Sequence, residues 1–283
     1  MSTEENALII KARLAEQAER YDEMAKFIKE LVLVKKGKLS VDERNLLSVA
    51  FKNTVGARRA SLRIISSLEN KSRQRGNSAN IKIMVEYQAT IQKELMDLSN
   101  EVLKLLDDTI LNDESKLDAE ARVFFWKMRG DYYRYLAEFP LKDQKQTIVQ
   151  EADRAYRQAT TIAEQELQST NPVRLGLALN FSVFNFEILG NPREACNIAK
   201  TAFDNAITQL ESVDEEVYRD STLIMQLLRD NLTLWTNEQE PGYENNEQQA
   251  TNAAHRASAP LSPARAIDTA PGAEARVAEM SSP

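Results

Sequence analysis

Lys52, Arg59 and Arg63 stand seven and four residues apart in a run with helical spacing. At about 100° per residue, those steps return all three cations to within about 20° of one line on a helix. Cations aligned in this way can converge on a phosphate, whose several acceptor oxygens take charge-assisted hydrogen bonds from guanidinium and ammonium groups. Lys127 and Arg134 are again seven apart, so a second helix, expected from about Ser115 to Phe139, offers two more cations on one face. The plain alternative for any such stripe is a solvated basic surface. The back of the first helix differs from its front. Ser61 lies nine residues after Lys52, roughly 180° round, and Ile65 falls on the same side, so that face is small and apolar enough to receive a partner.

The rest of the composition restricts the chemistry. The chain has 283 residues, a formal charge of −7 and a pI near 5.1. Non-specific binding to nucleic acid or to a membrane surface needs a broad positive field, which this balance does not provide. A small basic pocket on an acidic body selects a local anion instead. The single histidine, His255, falls in a polar tail, so histidine catalysis or metal ligation is not expected. Glycine-rich phosphate loops, G-x-S-x-G and H-E-x-x-H are absent from the sequence. No enzyme, cofactor or metal site is therefore expected. The single cysteine, Cys196, reads as a small helix residue that packs inside. No run approaches the roughly 20 apolar residues of a membrane span. Met-Ser-Thr-Glu-Glu at the start lacks the basic and apolar regions of a leader, which predicts a cytoplasmic address with the nucleus open to it.

The elements that must position these residues are helices. Only eight glycines and eight prolines occur, several of them beyond residue 236, and apolar residues recur at three- and four-residue steps rather than alternating. Long periodic runs extend over Leu8 to Leu33, Leu46 to Leu68, Ile81 to Leu106 and Val123 to Phe139, followed by four shorter ones up to Trp235. Ser40-Val-Asp-Glu43 and Ser212-Val-Asp-Glu215 fit the capping box, and Asn171-Pro172 and Asn191-Pro192 each set a capping side chain before a first-turn proline. Gly190 suits a helix C-terminus. The pattern predicts an all-α chain of about nine antiparallel helices, the longest near Val41 to Arg73 and Asn77 to Asp108. Residues 1–236 form the expected helical domain. Residues 237–283, rich in Glu, Gln, Asn, Ala, Ser and Pro, are expected to be a disordered tail.

Two further stretches carry a resemblance. Arg58-Arg-Ala-Ser-Leu-Arg-Ile-Ile-Ser-Ser-Leu-Glu-Asn-Lys71 and Tyr218-Arg-Asp-Ser-Thr-Leu-Ile-Met-Gln-Leu-Leu-Arg-Asp-Asn-Leu-Thr-Leu-Trp-Thr236 closely resemble the two signature stretches of the 14-3-3 family. The likeness continues through Leu14 to Tyr21, Gly130 to Glu138 and Arg174 to Phe184, and covers about residues 5–236. It implies nine antiparallel helices forming an L-shaped subunit with a concave peptide groove, a homodimer or a mixed dimer with related subunits, and phosphoserine or phosphothreonine clients. Carried over residue by residue, it implies a phosphate pocket of Lys52, Arg59, Arg134 and Tyr135, flanked by Arg63 and Lys127.

The same resemblance implies a groove wall of Leu179, Asn180, Val183 and Glu187 on one helix and Ile224, Leu227, Asn231, Leu234 and Trp235 on the last. Their spacings put each set on one face, and ordinary core packing is the plain alternative for the apolar members. The two asparagines each offer a donor and an acceptor, as an extended peptide backbone requires. In the dimer contact the resemblance implies Leu14, Ala18, Ser61, Ile65 and Tyr87, with Arg20 of one subunit facing Glu94 of the other. Thr90 is a departure, because many members carry there a lysine that pairs with the acid at Glu23. Phe51 and Leu62 depart from the usual tyrosine and tryptophan and bear on local packing. Arg58-Arg59-Ala60-Ser61 also fits a basophilic kinase site, and Ser258 in the tail loosely fits a client motif. The competing reading is a phosphate-independent helical peptide scaffold of tetratricopeptide type, which the missing fixed repeat disfavours.

Overall fold

The computed structural model describes residues 2–76, 78–140 and 143–239. Among them the chain forms nine α-helices and no strand: α1 Thr3–Gln17, α2 Tyr21–Val34, α3 Val41–Gln74, α4 Ser78–Leu105, α5 Ala119–Glu138, α6 Lys145–Glu166, α7 Pro172–Glu187, α8 Pro192–Ile207 and α9 Glu215–Gln239. Contacts divide the chain into two units, one holding α1–α6 and the other α7–α9. Consecutive helices pack on one another within each unit, and the short links between them turn each back along its neighbour. None of the described helices is long and apolar enough to cross a membrane.

Local chemistry sets most of the boundaries. Ser40 and Glu43 close a reciprocal capping box at the start of α3. Asn171 and Asn191 cap α7 and α8 ahead of their first-turn prolines. Gly190 follows α7 with φ +61°, a left-handed conformation that glycine adopts without Cβ strain. The second expected capping box does not form. Asp214 accepts from the Val217 amide at 2.9 Å and starts α9, while the Ser212 hydroxyl donates to the Gln209 carbonyl at 2.7 Å inside a short 3-10 turn. The Leu8 to Leu33 run divides into α1 and α2 at Glu19, whose φ is +54°.

α4 does not simply end. It passes into a π turn over Leu106–Ile110 and a 3-10 segment over Leu111–Lys116. α5 then starts at Ala119, capped by Asp118, four residues later than the expected Ser115. At the other end of the chain α9 runs to Gln239, beyond the domain boundary expected at Thr236. The rest of that tail, with His255 and Ser258, lies outside the described residues.

The first unit's core is built from the inward stripes of α2, α3, α4, α5 and α6, with Ile28, Leu47, Leu95, Phe125 and Tyr156 almost wholly buried. Phe51 and Leu62, the two departures in packing, are both in this core. In the second unit Leu179, Val183, Ile224, Met225, Leu228 and Trp235 form one apolar cluster.

Candidate functional site

α3 carries Lys52, Arg59 and Arg63, α5 carries Lys127 and Arg134, and the structure groups most of them. The Arg59 guanidinium lies over the Tyr135 ring at 3.9 Å from its centre, and the Arg134 guanidinium approaches the same ring at 4.8 Å. Cations are attracted to the negative face of an aromatic ring, so Tyr135 holds two like charges near one another at low cost. Arg59 is additionally gripped by Glu138, the last residue of α5, through Nε at 3.3 Å and a terminal nitrogen at 2.5 Å. Arg63, half exposed, donates at 2.9 Å to the Glu138 oxygen that also accepts from Arg59 Nε.

A second carboxylate organises the deeper cations. Lys127 donates to Asp131 at 2.7 Å, and both side chains are buried. The Arg134 guanidinium stands 3.5 Å from the other oxygen of Asp131, and its Nε donates to the Tyr156 hydroxyl of α6 at 3.1 Å. That hydroxyl in turn donates to Asp131 at 2.6 Å. Burial, and next the Asp131 charge, hold the Tyr156 phenol well above its ordinary pKa, with Arg134 pulling the other way. Lys127 thus belongs to the Asp131 network. Lys52 is half-buried on α3, two helical turns before Arg59.

The sequence reading missed Glu138, Asp131 and Tyr156. Two of them carried a local signal. Asp131 is four residues from Lys127 and three from Arg134, the spacings at which helical side chains meet. Glu138 sits at a helix C-terminus, where the macrodipole disfavours an anion, so its presence asks for a nearby cation. Tyr156 comes from another helix and gave no such sign.

In the second unit Asn180 and Asn231 are almost wholly buried. Of their expected neighbours, Leu179, Val183, Ile224 and Trp235 are core residues of that unit, with Trp235 stacked on Phe186 at 4.9 Å. Leu227 and Leu234 pack against that cluster while partly exposed, and Glu187 is exposed. The plain alternative of core packing therefore describes four of the apolar residues, and Leu227 and Leu234 are the ones that reach the surface.

The face expected to join two subunits carries unusual apolar exposure. Leu14 and Tyr87 are each 59% exposed, and Ile10, Ile64, Leu68 and Ile83 are exposed on the same three helices. Ala18 is exposed just past α1, and Ser61 and Ile65 are half-buried. Arg20 pairs with Glu23 in its own chain, and Glu94 accepts from Arg58 at 3.2 Å. Arg58 also holds Asp22 at 2.8 Å. Thr90 donates to the Glu86 carbonyl at 3.3 Å. In the would-be kinase motif both arginines are engaged by carboxylates, and the Ser61 hydroxyl donates to the Ala57 carbonyl at 2.9 Å.

Comparison with known proteins returns a single family. The family model described as 14-3-3 protein matches residues 11–236. A protein of Eimeria tenella named 14-3-3 protein is 53% identical over 241 residues, covering 81% of this chain and 86% of its own. The 14-3-3 protein beta/alpha-1 of Oncorhynchus mykiss is 53% identical over 235 residues, covering 83% of this chain and 94% of its own.

Proposed function

The chain belongs to the 14-3-3 family, and from that premise we propose that it docks proteins phosphorylated on serine or threonine and alters their activity, location or partners. Lys52, Arg59, Arg134 and Tyr135 take the phosphate, with Arg63 and Lys127 at the flank. The observation that carries the reading is the pair of guanidinium groups gathered on the Tyr135 ring. Two planar forks held on one ring offer several donors, and a dianion with several acceptor oxygens takes charge-assisted hydrogen bonds from both. Asn180 and Asn231 pair with the client main chain, whose amides are the same in every sequence, and Leu227 and Leu234 meet its side chains. Two copies, or one copy and a related subunit, join through α1, α3 and α4, so one assembly presents two phosphate sites. A cytoplasmic and nuclear adaptor without catalytic chemistry of its own fits these parts.

The reading is tested by capturing clients from an extract with and without phosphatase, beside a Lys52→Glu control. Capture abolished by phosphatase and by Lys52→Glu is the expected result. Clients retained under both conditions would overturn it. Calorimetry supplies the finer check, because a glutamate in place of phosphoserine carries one charge and fewer acceptors. Equal affinity for the two peptides would remove the phosphate pocket.

A further inference from the structure

Tyr156 is a polar side chain where an apolar one would pack. The residue lies on α6 with its ring wholly buried against Gly130 of α5. A Cβ at Gly130 would come within 2.9 Å of two ring carbons, so the glycine is what lets the ring approach. A phenylalanine would fill the same space. The hydroxyl therefore has to be accounted for, since a buried hydroxyl is a cost unless its hydrogen-bonding capacity is used.

It is used in both directions. The hydroxyl donates to Asp131 at 2.6 Å and accepts from Arg134 Nε at 3.1 Å. Asp131 alone reaches the Arg134 guanidinium only at 3.5 Å, on a terminal nitrogen. Nε is the one donor on the stem side of the guanidinium, so a bond there fixes the plane of the group and the direction of its remaining donors. The same guanidinium lies over the Tyr135 ring, 4.8 Å from its centre. Asp131 is also held at its second oxygen by Lys127, which anchors the acceptor to which the phenol is tied.

We propose that Tyr156 is a positioning residue of the phosphate pocket, acting through Arg134. This rests on the phosphate-binding reading of that pocket. Phenol and carboxylate together form a buried brace that presets the guanidinium before any ligand arrives, so phosphate binding does not have to supply the ordering.

Tyr156→Phe removes one oxygen and little else. Binding of a fluorescent phosphoserine peptide, its glutamate counterpart and its unphosphorylated form is followed by polarisation on the full chain. The expected result is about a tenfold weaker phosphopeptide, as for loss of a charge-assisted hydrogen bond, with the glutamate peptide changed by less than twofold. A loss shared equally by both peptides, with a lowered melting temperature, would make Tyr156 a packing residue and overturn the proposal. Arg134→Lys provides the second arm, because lysine has no Nε donor to give the phenol. On that background Tyr156→Phe should cost nothing further, whereas a full additional tenfold loss would show that Tyr156 does not act through Arg134. The outcomes separate the two claims. A wild-type chain that ignores phosphorylation sinks the phosphate reading and this proposal with it, while one that prefers the phosphopeptide but is unmoved by Tyr156→Phe sinks only the proposal.

Discussion

The Arg59 guanidinium stacks on the ring of Tyr135, 3.9 Å from its centre, while Glu138 grips its edge through two nitrogens. Stacking and a bidentate edge contact together fix the plane of the group, which a charge alone could not do. Lysine at this position would keep the charge and lose both restraints. Arg59→Lys is therefore expected to weaken phosphopeptide binding by roughly 10–100-fold, the equivalent of about 1.5–3 kcal/mol. Calorimetry decides it, and an affinity within threefold of wild type would mean that the pocket reads charge without geometry.

Arg63 shares Glu138 with Arg59 but stands half in solvent. Solvent screens an exposed pair, whose worth is about 0–1 kcal/mol. Arg63→Gln should thus cost no more than about fivefold in phosphopeptide affinity. The loss should shrink as salt is raised, since exposed charges are screened first. A titration at low and high ionic strength measures both points, and a salt-independent loss as large as that of Arg59→Lys would place Arg63 inside the pocket.

The contrast between local and non-local determinants runs through the whole chain. Ser40 and Glu43, Asn171 and Asn191 announced their caps because a cap is a bond between residues two or three apart. The Ser212 box failed for an equally local reason, since Asp214 competes for the same role one position before Glu215. The end of α4 was harder to read. Asp107, Asp108 and Asp113 do not reveal that the backbone widens to a π turn and then tightens, with Asp113 at φ −139°. Lys52, Arg59 and Arg134 were visible as helical stripes. Tyr156 was not, because its hydroxyl meets Arg134 across two helices 22 residues apart in sequence, and no periodicity encodes that meeting.

Leu14 and Tyr87 leave apolar surface in water, a cost that a second subunit would remove. Ser61 lies on α3, half-buried and bonded to its own helix, and is expected in the same contact. A carboxylate introduced there would be desolvated in the contact without a counter-charge. Ser61→Glu is expected to convert a dimer into monomers at nanomolar concentration, and Leu14→Asp should do the same. Native mass spectrometry or sedimentation reports the state directly. A Ser61→Glu chain still dimeric at that concentration would take Ser61 out of the interface.

Cys196 is the single thiol, and burial pushes its pKa up. The neutral form is thus favoured by the fold, and the folded value exceeds that of the unfolded chain, about 8.5. No stability is lost below the unfolded value. Stability falls as the pH rises from there through the folded value, because the unfolded chain gives up its proton first. Alkylation by iodoacetamide, followed across pH, should accordingly show a higher midpoint in the native chain than in urea. Coincident midpoints would contradict the assignment.

Asn180 and Asn231 are almost wholly buried polar side chains of the second unit. Each amide carries both a donor and an acceptor, and in the proposed role these meet the complementary pair of a client's peptide backbone. Asn231→Ala should weaken two phosphopeptides of unrelated sequence by the same factor, about tenfold. It should leave the preference for phosphoserine over glutamate where it was, because the phosphate is held by other side chains. Arg59→Lys should do the opposite and collapse that preference. Calorimetry of both variants against both peptides separates the two contributions: a loss on Asn231→Ala that varied with the client's side chains would mean that the amide reads sequence rather than main chain.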